Sequence, residues 1–359
     1  MREVSIIATT KDIYRTPHMT QSISTLGELL DTAGTQWRAY DIGRRITKID
    51  KQTFAQIELG AQPYPYPLLG HAHIAIQFWD KSATTDPYVW FLKFPIDEQS
   101  KLVMATRDHF ASLVLEAIGT QITGTDAQGK LDNNPYVFTP NANKLAAFNA
   151  LMKVELKRPA SQYYEAAEHY FSAPLLHDWQ TLAVQGIADF ALRIEHGKNQ
   201  ANLKAAWPSL PLEVQHTLAA MLEHVAINTS LTETLQHAIQ EALNTNNKTL
   251  LINSLRAVSH SSASGIVTQV LNEVLVSDFR HEKEVLLTIA GRFWQQLHHT
   301  ESLYLFMECV AALNEQDYFA GIFADLVAIP ALRPHVLGML RAPSRSEMLS
   351  RAIGKLFSA

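Results

Sequence analysis

The residues most suggestive of chemistry lie between Gly124 and Lys130, where the glycine spacing matches that of a phosphate-binding P-loop. A working P-loop enters a helix through a Ser or Thr that holds the magnesium ion of the bound nucleotide. Leu131 occupies that position here, and the helix-breaking stretch 132–135 follows it. The sequence therefore predicts a linker at this point rather than a nucleotide site.

Metal binding and thiol chemistry would depend on a few His and Cys residues. His71 and His73 stand two apart at the start of a predicted strand, so both rings can face one side of a sheet. A third ligand is not evident nearby, although Asp80 or Asp86 could fold back. Cys309 lies in an apolar run, which predicts a buried thiol rather than a reactive one. We therefore expect neither a metal site nor a cofactor.

Recognisable catalytic signatures are missing from the sequence. It contains no HExxH motif, no nucleophile elbow and no Cys/His/Asp arrangement of known spacing. The pairs Glu195–His196 and Glu223–His224 are adjacent in predicted helices, where neighbouring residues do not face each other. The sequence favours a protein without catalysis, and an enzyme built from dispersed residues is the alternative.

A basic-aromatic stretch over residues 37–54 is the first candidate binding surface. It combines three aromatic residues with five cations: Trp37, Tyr40 and Phe54 with Arg38, Arg44, Arg45, Lys48 and Lys51. Aromatic rings stack on unpaired bases and cations bind phosphate, so this stretch could contact single-stranded RNA. Asp41 and Asp50 dilute its charge, and no RRM, KH or OB signature accompanies it. A docking surface for an acidic protein, or an ordinary solvated hairpin, is the stronger alternative.

The second candidate is the segment Gln62–Pro67, in which proline alternates with Tyr64 and Tyr66. This alternation favours a stiff, polyproline-like conformation with its rings at fixed spacing. The segment is predicted to be a structural strap over the sheet or, alternatively, an exposed contact loop. A stiff loop would lose little conformational entropy on docking.

Composition and charge bound the possible functions. The 359 residues are 47% hydrophobic and 18% charged, which excludes a largely disordered chain. The net charge of −5 excludes the global basic field that non-specific nucleic-acid binders use. Residues 330–359 nevertheless carry five basic side chains and one acidic one, against 12 and 19 in residues 141–329. Arg341 and Arg345 in this positive segment form a third candidate contact.

The sequence also predicts where the protein resides. No run approaches the roughly 18 apolar residues of a membrane-spanning helix. The first residues do not form the apolar core of a signal peptide. A single cysteine cannot form an internal disulfide, which is compatible with a reducing compartment. We expect a cytoplasmic protein that does not contact membranes.

Two kinds of structure must position these residues. Four strand-like runs between residues 37 and 94 pair into two hairpins, with turns at 43–44 and 80–87. Helices are predicted from Thr25 to near Gly34 and over about 102–119. Together they predict a small antiparallel α+β domain, and the missing βαβ alternation argues against a doubly wound nucleotide-binding sheet.

The rest of the chain is predicted to be all helical. Helical hairpins recur at a spacing of roughly 35–40 residues, as in a stacked helical repeat of the HEAT type, with an irregular helical bundle as the alternative. Stacked repeats commonly present a long surface to a partner. The predicted domains are a poorly structured extension at 1–18, an α+β domain at 19–122, a linker at 123–143 and a helical-repeat domain at 144–359. Met19 is a candidate alternative start.

Several blocks of the sequence resemble an uncharacterised bacterial family known only as a domain of unknown function. They lie at 34–50, 62–67, 134–136, 160–164 and 178–189. The resemblance implies a bacterial cytoplasmic origin and transfers no activity, substrate or catalytic residue. We therefore expect a non-catalytic adaptor or scaffold that binds a protein partner, with an RNA-associated protein as the alternative.

Overall fold

The computed structural model describes residues 25–80, 87–123, 134–343 and 345–358. The predicted extension at 1–18 and the P-loop-like stretch at 124–130 lie outside the described residues. The chain divides into two units, one comprising Met1–Pro140 with Ala328–Pro330 and the other Asn141–Val327 with Ala331–Ala359. Each unit is described separately.

A four-stranded antiparallel sheet forms the centre of the first unit. Its strands are β1 (Gln36–Asp41), β2 (Thr47–Ile49), β3 (His71–Trp79) and β4 (Tyr88–Pro95), in the spatial order β2-β1-β3-β4. Ala39 of β1 lies opposite Ile49 of β2 on one side and Ile76 of β3 on the other. The two predicted hairpins are therefore confirmed, and the pairing of β1 with β3 joins them into one sheet.

Three helices accompany the sheet: α1 (Leu26–Thr32), α2 (Lys51–Glu58) and α3 (Met104–Thr123). Helix α1 begins as predicted, because the Thr25 hydroxyl accepts a hydrogen bond from the Glu28 N–H at 3.0 Å. Helix α2 is not among the helices that the sequence predicts. The Asp50 carboxylate caps this helix by accepting from the Thr53 N–H at 2.9 Å, so an acidic residue assigned to a hairpin surface instead begins a helix.

The core of the first unit is built from large side chains of all these elements. Trp37 of β1 meets Phe54 of α2 edge to face at 5.7 Å between ring centroids, and Trp90 of β4 meets Phe110 of α3 at 5.6 Å. All four residues are almost completely buried. Burying one such side chain contributes roughly 1.5–3 kcal/mol, so the aromatic residues of the basic-aromatic stretch serve the core.

Part of the predicted linker at 123–143 belongs to the sheet. The Lys93 N–H donates to the Tyr136 carbonyl at 2.7 Å, and the Phe138 N–H donates to the Phe91 carbonyl at 3.0 Å. Residues 136–138 thus run along the outer side of β4. They are held there because Tyr136 and Val137 pack against the hydrophobic core, unlike the turn-forming residues before them.

The second unit is all helical, with short 3₁₀ turns between some helices. Its helices are α4 (Ala142–Glu155), α5 (Tyr164–Ser172), α6 (Val184–Leu192), α7 (Asn199–Ala206), α8 (Leu212–Leu222), α9 (Thr229–Asn244), α10 (Lys248–Val258), α11 (Ser264–Val276), α12 (Lys283–Arg292), α13 (Thr300–Ala312), α14 (Gln316–Ala328), α15 (Arg333–Met339) and α16 (Glu347–Leu356). This confirms the predicted fold class, an α+β domain followed by an all-α domain. The sequence predicts helices near 180–195 and 211–227 but no separate helix between them, where α7 lies.

Most of these helices form two layers. In the first layer α4 packs on α6, α6 on α8, α8 on α10 and α10 on α12. In the second layer α5 packs on α7, α7 on α9, α9 on α11 and α11 on α13. Each helix therefore packs mainly against its near neighbours in sequence, which is the arrangement of a stacked helical repeat.

The spacing of the helices is close to the predicted repeat length of roughly 35–40 residues. Helices α8, α10, α12 and α14 begin at Leu212, Lys248, Lys283 and Gln316, which are 36, 35 and 33 residues apart. Each period supplies one helix to each layer and buries a row of apolar side chains between them. Within the described part of the chain, no helix is both long enough and apolar enough to cross a membrane.

Candidate functional site

The structure does not support the basic-aromatic stretch as one exposed surface. Arg44 is 1% exposed and Arg45 is 4% exposed, so the prediction that they form an interaction surface is wrong. The Arg44 Nε donates to the Pro67 carbonyl at 2.9 Å, beneath the strap. The two arginines follow β1 into a turn that the strap covers, and a buried guanidinium is tolerated because its hydrogen bonds are made.

The aromatic residues of the same stretch are also buried. Trp37, Tyr40 and Phe54 are 5%, 0% and 1% exposed. Rings in this position cannot stack on nucleic-acid bases, because bases need access to a ring face. The arrangement on which the RNA alternative depended is therefore absent from this hairpin.

Only the outer cations of the stretch approach solvent. Lys48 is exposed, and the half-buried Arg38 places its guanidinium 5.3 Å from the centre of the Trp79 ring. Lys51 lies over the Trp37 ring at 4.2 Å and pairs with Asp31 at 3.2 Å. Arg38 and Lys51 therefore cover aromatic side chains of their own unit.

The Gln62–Pro67 segment is a strap, one of its two predicted forms. Tyr64 is fully buried, and its hydroxyl donates to the Asp41 carboxylate at 2.5 Å. Burial, together with the charge of Asp41, raises the pKa of Tyr64 well above its usual value. Tyr66 is half-buried against the core. The prediction that Tyr64 belongs to a contact surface is therefore wrong, because its hydroxyl ties the strap to β1.

The two predicted arginines near the end of the chain belong to the second unit. Arg341 is exposed, whereas Arg345 is half-buried and donates from its guanidinium to the Leu340 carbonyl. The exposed Arg351 pairs with Glu347 at 2.7 Å within α16. Arg351 and Lys355 line a hollow of about 250 Å³ together with Glu315, whereas Arg341 and Arg345 are not among its lining residues.

The sequence candidates for metal and thiol chemistry have structural roles. The His71 ring nitrogen lies 2.8 Å from the Leu69 carbonyl, and His73 packs edge to face on Phe138. Among the residues described by the structure, no group of three or more His, Cys, Asp or Glu could hold a metal ion. Cys309 is buried as predicted, and burial raises its pKa to about 11.

One charged cluster joins three helices of the first layer. Glu223 follows α8 directly, and its Oε2 accepts from the Arg256 Nε of α10 at 2.9 Å and from the Arg292 Nε of α12 at 2.7 Å. The carboxylate is 3% exposed, whereas the arginine side chains are 17% and 27% exposed. We call these three residues the Glu223 cluster.

The electrostatics of the Glu223 cluster indicate a structural tie. Burial alone would raise the pKa of Glu223, but the charges of Arg292, His224 and Arg256 outweigh burial and lower it to about 2. A carboxylate that stays charged and accepts from two guanidinium groups is a poor proton donor or acceptor at neutral pH. The cluster therefore holds neighbouring repeats together rather than transferring protons.

An apolar turn in the second unit is exposed to solvent. In the 3₁₀ turn Pro174–Leu176, the side chains of Leu175 and Leu176 are 81% and 80% exposed. Beside them lies a hollow of about 260 Å³ whose walls include Phe171 and Asn202. We call this feature the Leu175–Leu176 turn. Two adjacent exposed leucines next to a hollow indicate a contact surface more than scattered single residues would.

A larger groove lies where four segments of the second unit meet. It has a volume of about 420 Å³ and lies between the turn that contains Trp207, the beginnings of α8 and α10, and one stripe of α9. Its lining residues are Trp207, Pro208, Leu210, Leu212, Gln215, Thr234, His237, Ala238, Glu241, Asn247 and Leu250. We call it the Trp207 groove. Just over half of these residues are apolar, and Glu241 is the one that carries a carboxylate.

Two of the residues that line the Trp207 groove carry buried polar atoms without a hydrogen-bond partner among the described residues. The Gln215 Nε2 donates to the carbonyls of Trp207 and Leu210, at 3.1 and 3.3 Å. These two acceptors fix the orientation of the amide, which leaves its Oε1 without a donor. The Trp207 Nε1 is likewise without an acceptor. Buried polar atoms are rarely left in this state.

Sequence reasoning missed the Trp207 groove because the gap between the Trp207 turn and the consecutive helices α8, α9 and α10 depends on how these elements pack. The only local signal was the pair His237 and Glu241, four residues apart on α9 and therefore on one face of the helix. The buried Gln215 resembles any polar residue of an amphipathic helix until its neighbours are known.

Comparison with known proteins gives one family and no closer relative. No curated protein and no solved structure matches the chain. The family model described as "Protein of unknown function (DUF3549)" matches residues 21–357. That match spans both units, from before α1 to the end of α16. The chain therefore belongs to the DUF3549 family of proteins of unknown function.

Proposed function

We propose that this protein is a non-catalytic adaptor or scaffold whose helical-repeat unit binds a protein partner. The observation that carries the proposal is the exposed Leu175–Leu176 turn on a two-layered stack of helices. Exposed apolar side chains beside a hollow are stabilised when another protein covers them. A stack of repeats provides a rigid support for such a contact.

The state of the buried ionisable groups supports a role without catalysis. Glu58 and Glu223, whose pKa values are strongly shifted, are engaged by partners that belong to the fold. Glu58 accepts from two backbone N–H groups at the start of α1, and Glu223 accepts from two arginines. Shifted groups of this kind are often catalytic, but here each shift has a structural cause.

We place this adaptor in the bacterial cytoplasm. The support is the single cysteine of the sequence, Cys309, which cannot form an internal disulfide, and the resemblance seen in the sequence to a bacterial family. Export of the protein from cells that express the complete gene would contradict this placement.

Capture of the tagged full chain from its native lysate tests the adaptor function, with and without RNase. The expected result is a stoichiometric protein partner that survives RNase. The double variant Leu175→Ser/Leu176→Ser should lose it, because both substitutions remove exposed apolar surface. The matched control is Leu287→Ser, which changes a leucine on α12 that is 58% exposed.

Three outcomes of that capture are informative. Absence of any partner would contradict the adaptor function. Loss of all partners on RNase treatment would favour an RNA-associated protein instead. A partner retained by the double variant but identified reproducibly would keep the adaptor and reject the Leu175–Leu176 turn as its contact.

A further inference from the structure

The shape of the Trp207 groove suits a short length of another chain. Its volume of about 420 Å³ is enough for a few side chains, and its α9 stripe includes the exposed residues His237 and Glu241. Trp207, Leu210 and Leu250 provide an apolar wall, and all three are at least nine-tenths buried. An apolar side chain seated in the groove would lose contact with water.

The unpartnered polar atoms of the lining match a peptide backbone. Gln215 contributes an acceptor, its Oε1, and Trp207 contributes a donor, its Nε1. A peptide unit carries one N–H donor and one C=O acceptor, so an extended segment can satisfy both atoms. Both atoms have almost no accessible surface, so a partner reaches them only after the rim of the groove moves apart, and its hydrogen bonds then offset a desolvation cost already present.

Charge at the rim selects among peptides. Glu241 is exposed at the edge of the groove, with His237 one turn earlier on α9, and the lining contains no Lys or Arg. Residues 141–329 carry 19 acidic and 12 basic side chains, so the surrounding unit adds to the negative potential. A basic side chain next to the apolar anchor would pair with Glu241, and an acidic one would be repelled.

We propose that the Trp207 groove binds an extended segment of the partner protein. An apolar side chain of that segment packs against Trp207, Leu210 and Leu250, and an adjacent Lys or Arg pairs with Glu241. This inference rests on the adaptor function and specifies where a partner binds and by which chemistry. Backbone hydrogen bonds provide affinity in this mode, and the two side chains provide specificity.

Selection from a phage-displayed library of random dodecapeptides tests the groove, with the full-length chain as bait. The expected result is enrichment of peptides with an apolar residue next to Lys or Arg. Synthetic copies, measured by fluorescence anisotropy, should bind the Glu241→Lys variant about three- to tenfold more weakly than wild type. The matched control is Glu233→Lys, at an exposed glutamate of α9 outside the groove lining, which should bind like wild type.

A charge exchange makes the assignment specific. Replacing the basic residue of an enriched peptide by Glu should weaken its binding to wild type and restore binding to Glu241→Lys. Failure to enrich any peptide, enrichment without the apolar-basic pair, or equal binding to wild type and Glu241→Lys would each overturn the proposal.

The same variant separates this inference from the adaptor function. Partner capture from lysate is repeated with Glu241→Lys and Glu233→Lys. A partner that both variants retain, together with no peptide selection, would reject the groove and leave the adaptor standing. Loss of the partner from Glu241→Lys alone would support both, and absence of a partner from wild type would reject the adaptor itself.

Discussion

Glu58 shows how the fold sets the charge of a single side chain. Its carboxylate is 1% exposed and accepts from the N–H groups of Leu26 and Gly27 at 2.7 and 3.1 Å, at the start of α1. Burial raises its pKa from 4.5 to about 7, although the two N–H groups and the charge of Arg107 oppose the rise. Glu58, the last residue of α2, thus caps the start of α1, although removing its carboxylate from water costs free energy.

The raised pKa of Glu58 predicts that stability falls as pH rises. The pKa of Glu58 in the folded protein exceeds its value in the unfolded chain. The protonated Glu58 carboxyl therefore contributes its full stabilisation below about pH 4.5, and this stabilisation is lost as pH passes through 7. The loss amounts to about 3 kcal/mol. Glu58→Gln should lack this component, as measured by urea unfolding at pH 5 and pH 8. Glu98→Gln, at an exposed glutamate, is the control.

Parallel pH dependence in wild type and Glu58→Gln would contradict this assignment. The sequence does not reveal the raised pKa of Glu58, because Glu58 looks like an ordinary helical glutamate until the start of α1 is known to lie against it. The same holds for Arg44, whose residue type predicted a surface, whereas a turn and a strap that meet in three dimensions bury it.

At the scale of elements, the Glu223 cluster links α8, α10 and α12 through one carboxylate. These helices follow one another within the first layer, and the cluster lies at their carboxyl-terminal ends. Arg256 and Arg292 are favourable at these ends, where the helix dipole is negative. The negative charge of Glu223 offsets the repulsion between the two guanidinium groups. Apolar packing sets how the helices stack, and the cluster fixes their register.

Removing the charge of Glu223 should loosen three repeats together. Glu223→Gln is expected to cost about 2–3 kcal/mol, because two charge-assisted hydrogen bonds weaken around a buried group. The pKa of Glu223 is lowered, so this stabilisation is present above about pH 4.5 and is lost as pH falls towards 2. Glu213→Gln, at an exposed glutamate of α8, is the control. Equal thermal midpoints for the two variants at pH 7 would reject the tie.

Element types were largely predictable from the sequence, and element ends were less so. Apolar periodicity located the two hairpins and most helices, because each buries one face. Helices α2 and α7 are eight residues each and carry too few apolar positions for a clear period. Residues 136–138 were misassigned because Asn134 and Pro135 indicate a turn, while the pairing that follows depends on a distant strand.

At the scale of the whole molecule, the layered stack makes stability local. Helix α10 packs against α8, α9 and α12, whereas α16 near the end of the chain packs chiefly against α13. In such arrays stability is approximately a sum over neighbouring interfaces, so the end should open more easily than the middle. This is a property of the arrangement and not of any one residue.

Two leucine truncations of equal burial should separate the middle of the stack from its end. Leu255 of α10 and Leu349 of α16 are both fully buried, and each Leu→Ala change should cost roughly 2–5 kcal/mol locally. Leu255→Ala should accelerate hydrogen exchange across α8–α12. Leu349→Ala should accelerate it in α16 and α13 only, as read by mass spectrometry of proteolytic fragments. If both substitutions accelerated hydrogen exchange over equally wide parts of the unit, the unit would open as a whole.

The candidate site belongs to this largest scale. The Trp207 groove combines residues from a turn and three helices, so its existence depends on how α8, α9 and α10 pack. Sequence patterns predict which face of each helix is apolar, but not the gap that remains between them. The class of function could be inferred from the repeat, and the location of the groove required the structure.

The short run along β4 has a consequence for how copies of this protein behave when crowded. An open strand edge offers unpaired backbone groups to any passing chain, and such edges start ordered aggregates. Residues 136–138 occupy part of that edge, and the strand at the other side of the sheet, β2, has three residues and an exposed Lys48. Detachment of 136–138 would expose the edge of β4 and lower solubility, so this segment protects the protein from self-association.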